Sequence, residues 1–418
     1  VTSPGTGYGA APAVPFTNGG TSTATSTLGV SSAGNPTVPG YFQQRLVLSG
    51  PVSQPQQFNM SKPGAQFNFD VSQIIQDDDA IQSTLVSGQL NTIQSMVAQP
   101  QGLIMLTDRQ AWLLNGGAAG SGIGPINIIA NAQSFNGAGG PLPIVATNNI
   151  IYVQAKGSIV RDMAFSIYTS VYSGVDISAI ASHLFYNFTL SEWAWAEEPF
   201  KLLWAVRNDG ALLTLTYLKE QEFIAWSHSD TNGAFTSVAS VVEATSTAGN
   251  IDAIYFVVQR QVNGNTVQYV ERLAERAFPN GLASAWCVDA GLAYTGAATL
   301  SFTGAQHLAG MEVVGIATTD TGTTAAITPL TVSATGTFTL PAPASPAVGY
   351  TYVLIGLAFT PQLQTLALDL GDPTLQGKVK KINSADVRVS ETLGLSIGSD
   401  FSASHLTAMK AVVVGNVS

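Results

Sequence analysis

The chain has 418 residues, of which 45% are hydrophobic and only 10% are charged, and its formal net charge is −10. Ordinary soluble domains carry about 25% charged residues, so the low charge favours a surface that partner subunits cover. With 16 basic and 26 acidic residues, the composition argues against tight nucleic-acid binding, which needs Lys and Arg to neutralise phosphates.

Targeting and redox signals are few. The single cysteine, Cys287, excludes an internal disulfide framework and a cysteine-based metal cluster. No apolar run approaches the roughly 18–20 residues of a helical membrane span, and the N-terminal VTSPGTGYGA lacks the regions of a signal peptide. We expect no membrane insertion by this chain. Its first residue is Val rather than Met, which suggests processing or a piece of something longer.

Residues 1–40 are rich in Gly, Ser, Thr, Pro and Ala and almost free of charge. Such a composition is typical of an extended arm or linker. Both a flexible tail and an arm lying on a neighbouring subunit fit this pattern.

Residues 41–295 contain a repeated unit of an apolar strand, a polar turn and a second strand. The units begin about 50 residues apart, at Arg45, Leu103, Ile150, Lys201 and Ile251. Several strands per unit at this spacing are typical of β-propeller blades. We therefore predict a mainly β protein with a β-propeller of about five to six blades. The alternative is a series of unrelated hairpins in a β-sandwich.

The remaining segments are predicted from their composition and strand-like patterns alone. Residues 296–345, rich in Thr, Gly, Ala and Val, are predicted to form a small β domain, and a linker-like segment, PAPASPAVG, begins at Pro341. Residues 346–418 are predicted to form a C-terminal β region that returns to the propeller or platform. Two short segments, 90–99 and 177–185, have helix-like apolar spacing and are interpreted as connectors.

Two short motifs resemble catalytic or phosphate-binding loops. Residues 394–398 read GLSIG and match G-x-S-x-G, with His405 nearby. However, Leu395 and Ile397 alternate as in a plain strand, and no βαβ pattern surrounds the motif as a nucleophile elbow requires. Residues 371–378, GDPTLQGK, have five residues between the glycines rather than four and are interpreted as a turn.

Two acidic clusters are candidates for cation binding or catalysis. Asp77, Asp78 and Asp79 lack the residue pattern of a calcium loop and are interpreted as a solvated turn. Glycosidases use a pair of carboxylates at a set separation, so a second cluster of carboxylates and tryptophans deserves notice: Glu192, Trp193, Trp195, Glu197 and Glu198. The alternative for this cluster is an exposed acidic turn with the tryptophans packed between blades.

Metal and anion sites have little support. The four histidines, His183, His228, His307 and His405, show no metal-binding spacing. A small basic cluster of Lys378, Lys380, Lys381 and Arg388 is interpreted as a solvated strand face. We predict no catalytic, cofactor-binding or metal-binding residues, no cofactor, and a protein that is not an enzyme.

Several runs resemble one family of phage proteins. They are FQQRLVLSG from Phe42, DDDAIQ from Asp77, LIMLTDRQAWLLNG from Leu103, EEPFKLLWAVRNDGALLTLTYLKEQEFIAWSHSDTNGAF from Glu197, VVQRQVNGNTVQYVERL from Val257 and HLAGMEV from His307. Together they resemble the tail nozzle, also called the tail tubular protein B type or packaged-DNA stabilisation protein, of short-tailed bacteriophages. The resemblance spans roughly residues 41–401.

The resemblance implies a structural virion protein of the phage tail, assembled in the host cytoplasm as a homohexameric ring. Its implied partners are the portal and adaptor proteins of the head–tail connection and the tail fibres or tailspikes, with genomic DNA passing non-specifically through the lumen. The alternative function is a glycan-binding or glycan-cleaving propeller of a tailspike or adhesin.

Overall fold

The computed structural model describes residues 34–117, 121–245, 249–275, 285–365, 382, 384–389 and 395–409. The protein is mainly β, with 51% strand against 4% helix, and its strands form many small antiparallel sheets. It divides into two compact units, Val1–Leu357 and Ala358–Ser418. The predicted mainly β class is confirmed.

Four consecutive sheets of the first unit are four-stranded antiparallel meanders. Sheet 1 contains β1 (Val38–Phe42), β2 (Arg45–Ser49), β3 (Gln57–Met60) and β4 (Ile81–Thr84). Sheet 2 contains β5 (Ile93–Gln99), β6 (Gly102–Thr107), β7 (Ala111–Asn115) and β8 (Ile129–Ser134). Sheet 3 contains β9 (Ile144–Ala146), β10 (Asn149–Val153), β11 (Val160–Ser166) and β12 (Val171–Asp176). Sheet 4 contains β13 (Leu190–Ala196), β14 (Leu202–Arg207), β15 (Leu212–Leu218) and β16 (Phe223–Ser229).

The fifth sheet is three-stranded in the described part of the chain. It contains β17 (Ala234–Thr245), β18 (Gly249–Val262) and β19 (Asn265–Arg272). The five repeated units predicted from the sequence coincide with sheets 1–5. The predicted starting positions lie at or beside the second strand of each sheet, so each unit was recognised by its most apolar strand.

Successive sheets pack face to face because adjacent residues of a strand point to opposite faces. In β6, Leu103 and Met105 join a core with sheet 1, while Ile104 and Leu106 join a core with sheet 3. In β14, Leu203 and Ala205 pack towards sheet 3, and Trp204 and Val206 pack towards sheet 5. Strands buried on both faces read as continuous apolar runs, which explains the apolar runs in the repeat.

The turns of sheets 1–4 fall on two sides. In each meander, the turns between strands one and two and between strands three and four lie at one end. The middle turn and the connection to the next sheet lie at the other. These connections are hydrogen-bonded to middle turns: Asp108 N donates to Thr92 O and Asn208 N donates to Thr189 O. We call this end the linker side and the opposite end the hairpin side.

A sixth sheet follows with a non-sequential order, β20-β25-β22-β23. Its strands are β20 (Asp289–Thr299), β22 (Glu312–Thr319), β23 (Thr324–Thr331) and β25 (Tyr350–Leu357), and a small pair is formed by β21 (Ser301–Phe302) and β24 (Phe338–Thr339). The predicted boundaries at 295/296 and 345/346 cut through this sheet. Strand β25, predicted to return to the propeller, instead pairs with β20 and β22.

The remaining segments also differ from expectation. Residues 1–33 of the predicted arm lie outside the described residues, and the arm's boundary at residue 40 falls inside β1. Residues 90–99, interpreted as a connector with helix-like spacing, instead contain strand β5, which buries alternate residues. The 177–185 connector contains a 3-10 helix at Ala179–Leu184. In the second unit, β26 (Ser396–Gly398) pairs with β27 (Leu406–Ala408).

The tight connection between sheets 2 and 3 gives a testable prediction at Gly137. A Cβ atom there would lie 1.9 Å from the carbonyl oxygen of Asp108, and backbone cannot move aside as a flexible side chain does. We expect Gly137→Ala to destabilise the protein by about 3 kcal/mol, the upper end for overpacking. Urea denaturation should show this loss. The control is Gly88→Ala in the preceding connection, where a Cβ would meet nothing within 4 Å. Equal stability of the two variants would contradict the packing described above.

Candidate interaction surface

The tryptophans of the predicted carboxylate cluster are packing residues. Trp193 is 8% exposed, and its ring nitrogen donates a hydrogen bond to the carbonyl oxygen of Leu142 at 2.6 Å. Trp195 packs against the core between sheets 3 and 4 and meets Tyr217 edge-on, with ring centroids 6.3 Å apart. Both ring systems therefore serve sheet packing.

The carboxylates of the same cluster are separated by their strand positions. Glu197 and Glu198 are exposed in the turn after β13, and their backbone N–H groups donate to Oδ2 of Asp252 at 2.7 and 3.0 Å. Glu192 lies within β13, where its Oε2 accepts from the backbone N–H of Val238 at 3.4 Å. The turn is fastened to sheet 5, and its two carboxylates face water.

Within the described part of the G-x-S-x-G motif, Ser396–Gly398 form strand β26. Ser396 pairs with Ala408 in the β26–β27 hairpin, whereas a nucleophile elbow needs a strand-to-helix turn. His405 does have an acidic neighbour that the sequence did not reveal, since its Nδ1 lies 2.6 Å from Oδ2 of Asp400. Both side chains are about half exposed, as in a surface ion pair.

The remaining sequence motifs, the glycine-containing turn and the basic cluster, give no binding site in the described residues. Residues 371–378 and the lysines of the basic cluster lie outside the described residues, and Arg388 alone of that cluster is described. The described parts of the chain contain no group of three or more His, Cys, Asp or Glu side chains placed to hold a metal ion. Within the same residues, no helix has the length and apolar character to cross a membrane.

The exposed apolar side chains of the sheet stack mark its two sides. On the hairpin side, the loops after β3, β7 and β11 expose Phe67, Ile74, Ile126, Ile167 and Tyr168. On the linker side, the connections between sheets expose Val86, Leu90, Phe135, Leu142, Ile180 and Tyr186. Isolated exposed apolar residues are normal, but accumulation on defined loops marks interaction sites. Sequence patterning missed these residues because they lie in loops without periodicity.

Asp79 organises the loop of residues 61–80, which joins β3 to β4. Its side chain is fully buried. Oδ2 accepts from the backbone N–H groups of Ser72 and Gln76 at 3.0 and 2.9 Å. Oδ1 accepts from the Ser72 hydroxyl at 2.8 Å and from Nζ of Lys62 at 2.9 Å. The sequence interpretation of a solvated turn is therefore wrong for Asp79, while Asp77 and Asp78 are exposed.

Arg45 fastens both ends of this loop to sheet 1. It is 2% exposed, and its Nη1 donates to the carbonyl oxygens of Ser61 and Asp79, both at 2.7 Å. Nη2 donates to the carbonyl oxygen of Asp77 at 3.0 Å. Buried charges require such partners. Arg45 and Asp79 together hold the loop in one conformation; we call this arrangement the Asp79 brace.

Comparison with known proteins gives no family. No family model matches the chain, and no curated protein matches it. The side chains and charges of the surface therefore carry the functional argument.

The two sides differ in charge. The described turns of sheets 1–4 on the hairpin side carry eight acidic residues against three basic ones: Asp70, Asp77, Asp78, Asp79, Glu197, Glu198, Glu220 and Glu222 against Lys62, Lys201 and Lys219. Those on the linker side carry Asp108, Asp209 and Asp230 against Arg109 and Lys156. Acidic character is thus concentrated on the hairpin side.

Proposed function

We propose that the chain is a structural subunit of a phage tail nozzle, a virion ring that retains packaged DNA and conducts it during ejection. The observation that carries the proposal is the stack of five consecutive antiparallel sheets with exposed apolar loops on both sides. A sheet stack with apolar loops on both sides suits a subunit that contacts other proteins of an assembly on each side. The runs that resemble the nozzle family support the same function, and one of them includes strands β14, β15 and β16 of sheet 4.

Within this proposal, sheets 1–5 are blades of a β-propeller. Four-stranded meanders packed face to face are the building units of propellers, and the cores join sheets 1–2, 2–3, 3–4 and 4–5. No hydrophobic cluster of the described residues joins sheet 5 to sheet 1, so closure stays a prediction.

The proposed assembly is a homohexamer that contacts portal or adaptor proteins and tail fibres or tailspikes. A chain with net charge −10 suits a DNA conduit, because phosphates are repelled and DNA slides without sticking. Closed ring symmetry also hides a charge-poor surface in subunit contacts. The proposed role is structural and needs no cofactor.

Single-particle electron microscopy of the purified protein, with its mass in solution, tests this function. We expect a six-fold ring with a central channel wide enough for duplex DNA, and six times the monomer mass. Free DNA added at physiological salt should not bind the purified ring. A monomer in solution that also stays monomeric in the particle would overturn the proposal.

The glycan alternative has weaker support, because Trp193 and Trp195 are used in sheet packing. Changing both Glu197 and Glu198 to Gln should leave host polysaccharide binding and turnover unaltered. Loss of either activity in this variant would favour the glycan function instead.

A further inference from the structure

We propose that the loop of residues 61–80 is a preformed docking element that inserts Phe67 and Ile74 into an apolar pocket of a different protein, one rimmed by Lys and Arg. The inference rests on the proposed function only in taking that partner to be another protein of the same particle. It assigns the hairpin side of sheet 1 as a docking site and states the chemistry of its partner.

The first argument is the display of apolar side chains by a fixed loop. Phe67 is 89% exposed and Ile74 is 88% exposed, while Val71 and Ile75 are each 53% exposed. Loops that only connect strands are commonly polar. Here the Asp79 brace holds four large apolar side chains in water, and a fixed loop loses little further entropy on binding.

The second argument is the backbone strain at Ile74. Its φ is +70°, a left-handed conformation that is a genuine outlier for a β-branched residue. The hydrogen bonds that the N–H groups of Ser72 and Gln76 donate to the Asp79 carboxylate lie on either side of it. Glycine or asparagine would occupy this position without the same penalty. Strain of this kind clusters at binding and functional sites.

The third argument identifies the partner by charge. Asp70, Asp77 and Asp78 are exposed in the same loop, so the partner's rim should be basic. A second copy of this chain is a poor occupant of this loop, because its hairpin-side turns are acidic and its described linker-side turns carry only Arg109 and Lys156 as basic residues, so neither side offers a basic rim to the acidic loop. The neighbouring loop after β7 continues the surface, since Gly124 packs on the carbonyl oxygen of Asp77 and Ile126 is 67% exposed.

Photo-crosslinking in the assembled particle tests the inference. A benzoylphenylalanine is placed at Phe67 and, as the matched control, at Phe135, which is 82% exposed on the linker side. We expect position 67 to crosslink to a different protein, at a peptide that carries Lys or Arg beside apolar residues, and position 135 not to label that peptide. A crosslink from position 67 to a second copy of this chain, or none at all, overturns the inference.

Charge reversal provides the second variant. Arg45 binds the backbone oxygen of Asp77 and not its side chain, so D77K/D78K leaves that hydrogen bond in place. We expect this double variant to lower the crosslink yield from position 67 about tenfold at low salt, with D230K on the linker side unchanged. An unchanged yield in D77K/D78K overturns the basic rim. Microscopy of the same particles separates the two proposals. A ring without the crosslink would contradict only the docking element. The crosslink without a ring would contradict only the nozzle function.

Discussion

Replacing Arg260 with alanine should loosen sheet 5 and its connection to sheet 6. Arg260 is 1% exposed and donates from Nε and Nη2 to the carboxylate of Glu271 at 2.7 and 2.8 Å. Nη1 donates to the carbonyl oxygen of Asn232 at 2.9 Å, and Nη2 lies 3.4 Å from Oδ1 of Asp289, the first residue of β20. Removing one partner of a buried ion pair leaves the others uncompensated and costs about 3–5 kcal/mol.

We expect R260A to lie near the lower end, about 3 kcal/mol, because Glu271 and Asp289 are 24% and 27% exposed. Hydrogen exchange of the β18 amides reports the loss, as opening should become about 100-fold more frequent. The control is R272A, since Arg272 pairs with Glu243 and Glu275 at the surface, where ion pairs contribute about 0–1 kcal/mol. Equal exchange in the two variants would show that Arg260 does not join the sheets.

The five repeated sheets could be predicted from sequence because their signals are local. Each has short apolar runs separated by tight turns, as at Asn208-Asp209-Gly210, and neighbouring strands pair in chain order. Sheet 6 breaks this order, because β25 inserts between β20 and β22. Local patterns carry no information on such distant pairing. The connector interpretation of residues 90–99 is wrong because Leu90, Ile93 and Val97 have helix-like spacing, while strand β5 buries Ile93, Ser95 and Val97.

The candidate surface was only partly accessible from sequence. The sequence allows packing as one alternative for the tryptophans, and the structure places Trp193 and Trp195 in the core between sheets 3 and 4. Asp79 was missed because its partners, Arg45 and Lys62 among them, lie up to 34 residues away in sequence. Its burial depends on how the loop folds back on sheet 1. An exposed Phe67 or Ile74 is likewise invisible to patterning, because an apolar residue in a loop reads as core until the fold shows that nothing covers it.

Replacing Asp79 with asparagine should release the loop of residues 61–80. Each carboxylate oxygen accepts two hydrogen bonds, and an amide nitrogen in place of one oxygen would face two donors. We expect the amides of Ser72 and Gln76 to exchange at least about tenfold faster in D79N. D78N is the matched control, since Asp78 is the exposed neighbour in the same turn. Slow exchange in D79N would mean that the loop holds itself without the carboxylate.

The effect of D79N should depend on pH in a defined direction. The hydrogen bond from the Gln76 N–H, together with that from Lys62, holds the pKa of Asp79 well below its usual range, although burial opposes this. A depressed folded-state pKa contributes stability above the unfolded value of about 3.9, and that stability is lost as the pH falls towards the folded pKa. The difference in amide protection between wild type and D79N should therefore stay constant from pH 5 to pH 8, in the range above about 4, and shrink in stronger acid.

If the loop is a docking element, D79N should also lose the crosslink from position 67 while D78N keeps it, because an apolar side chain on a released loop is no longer preformed for its pocket.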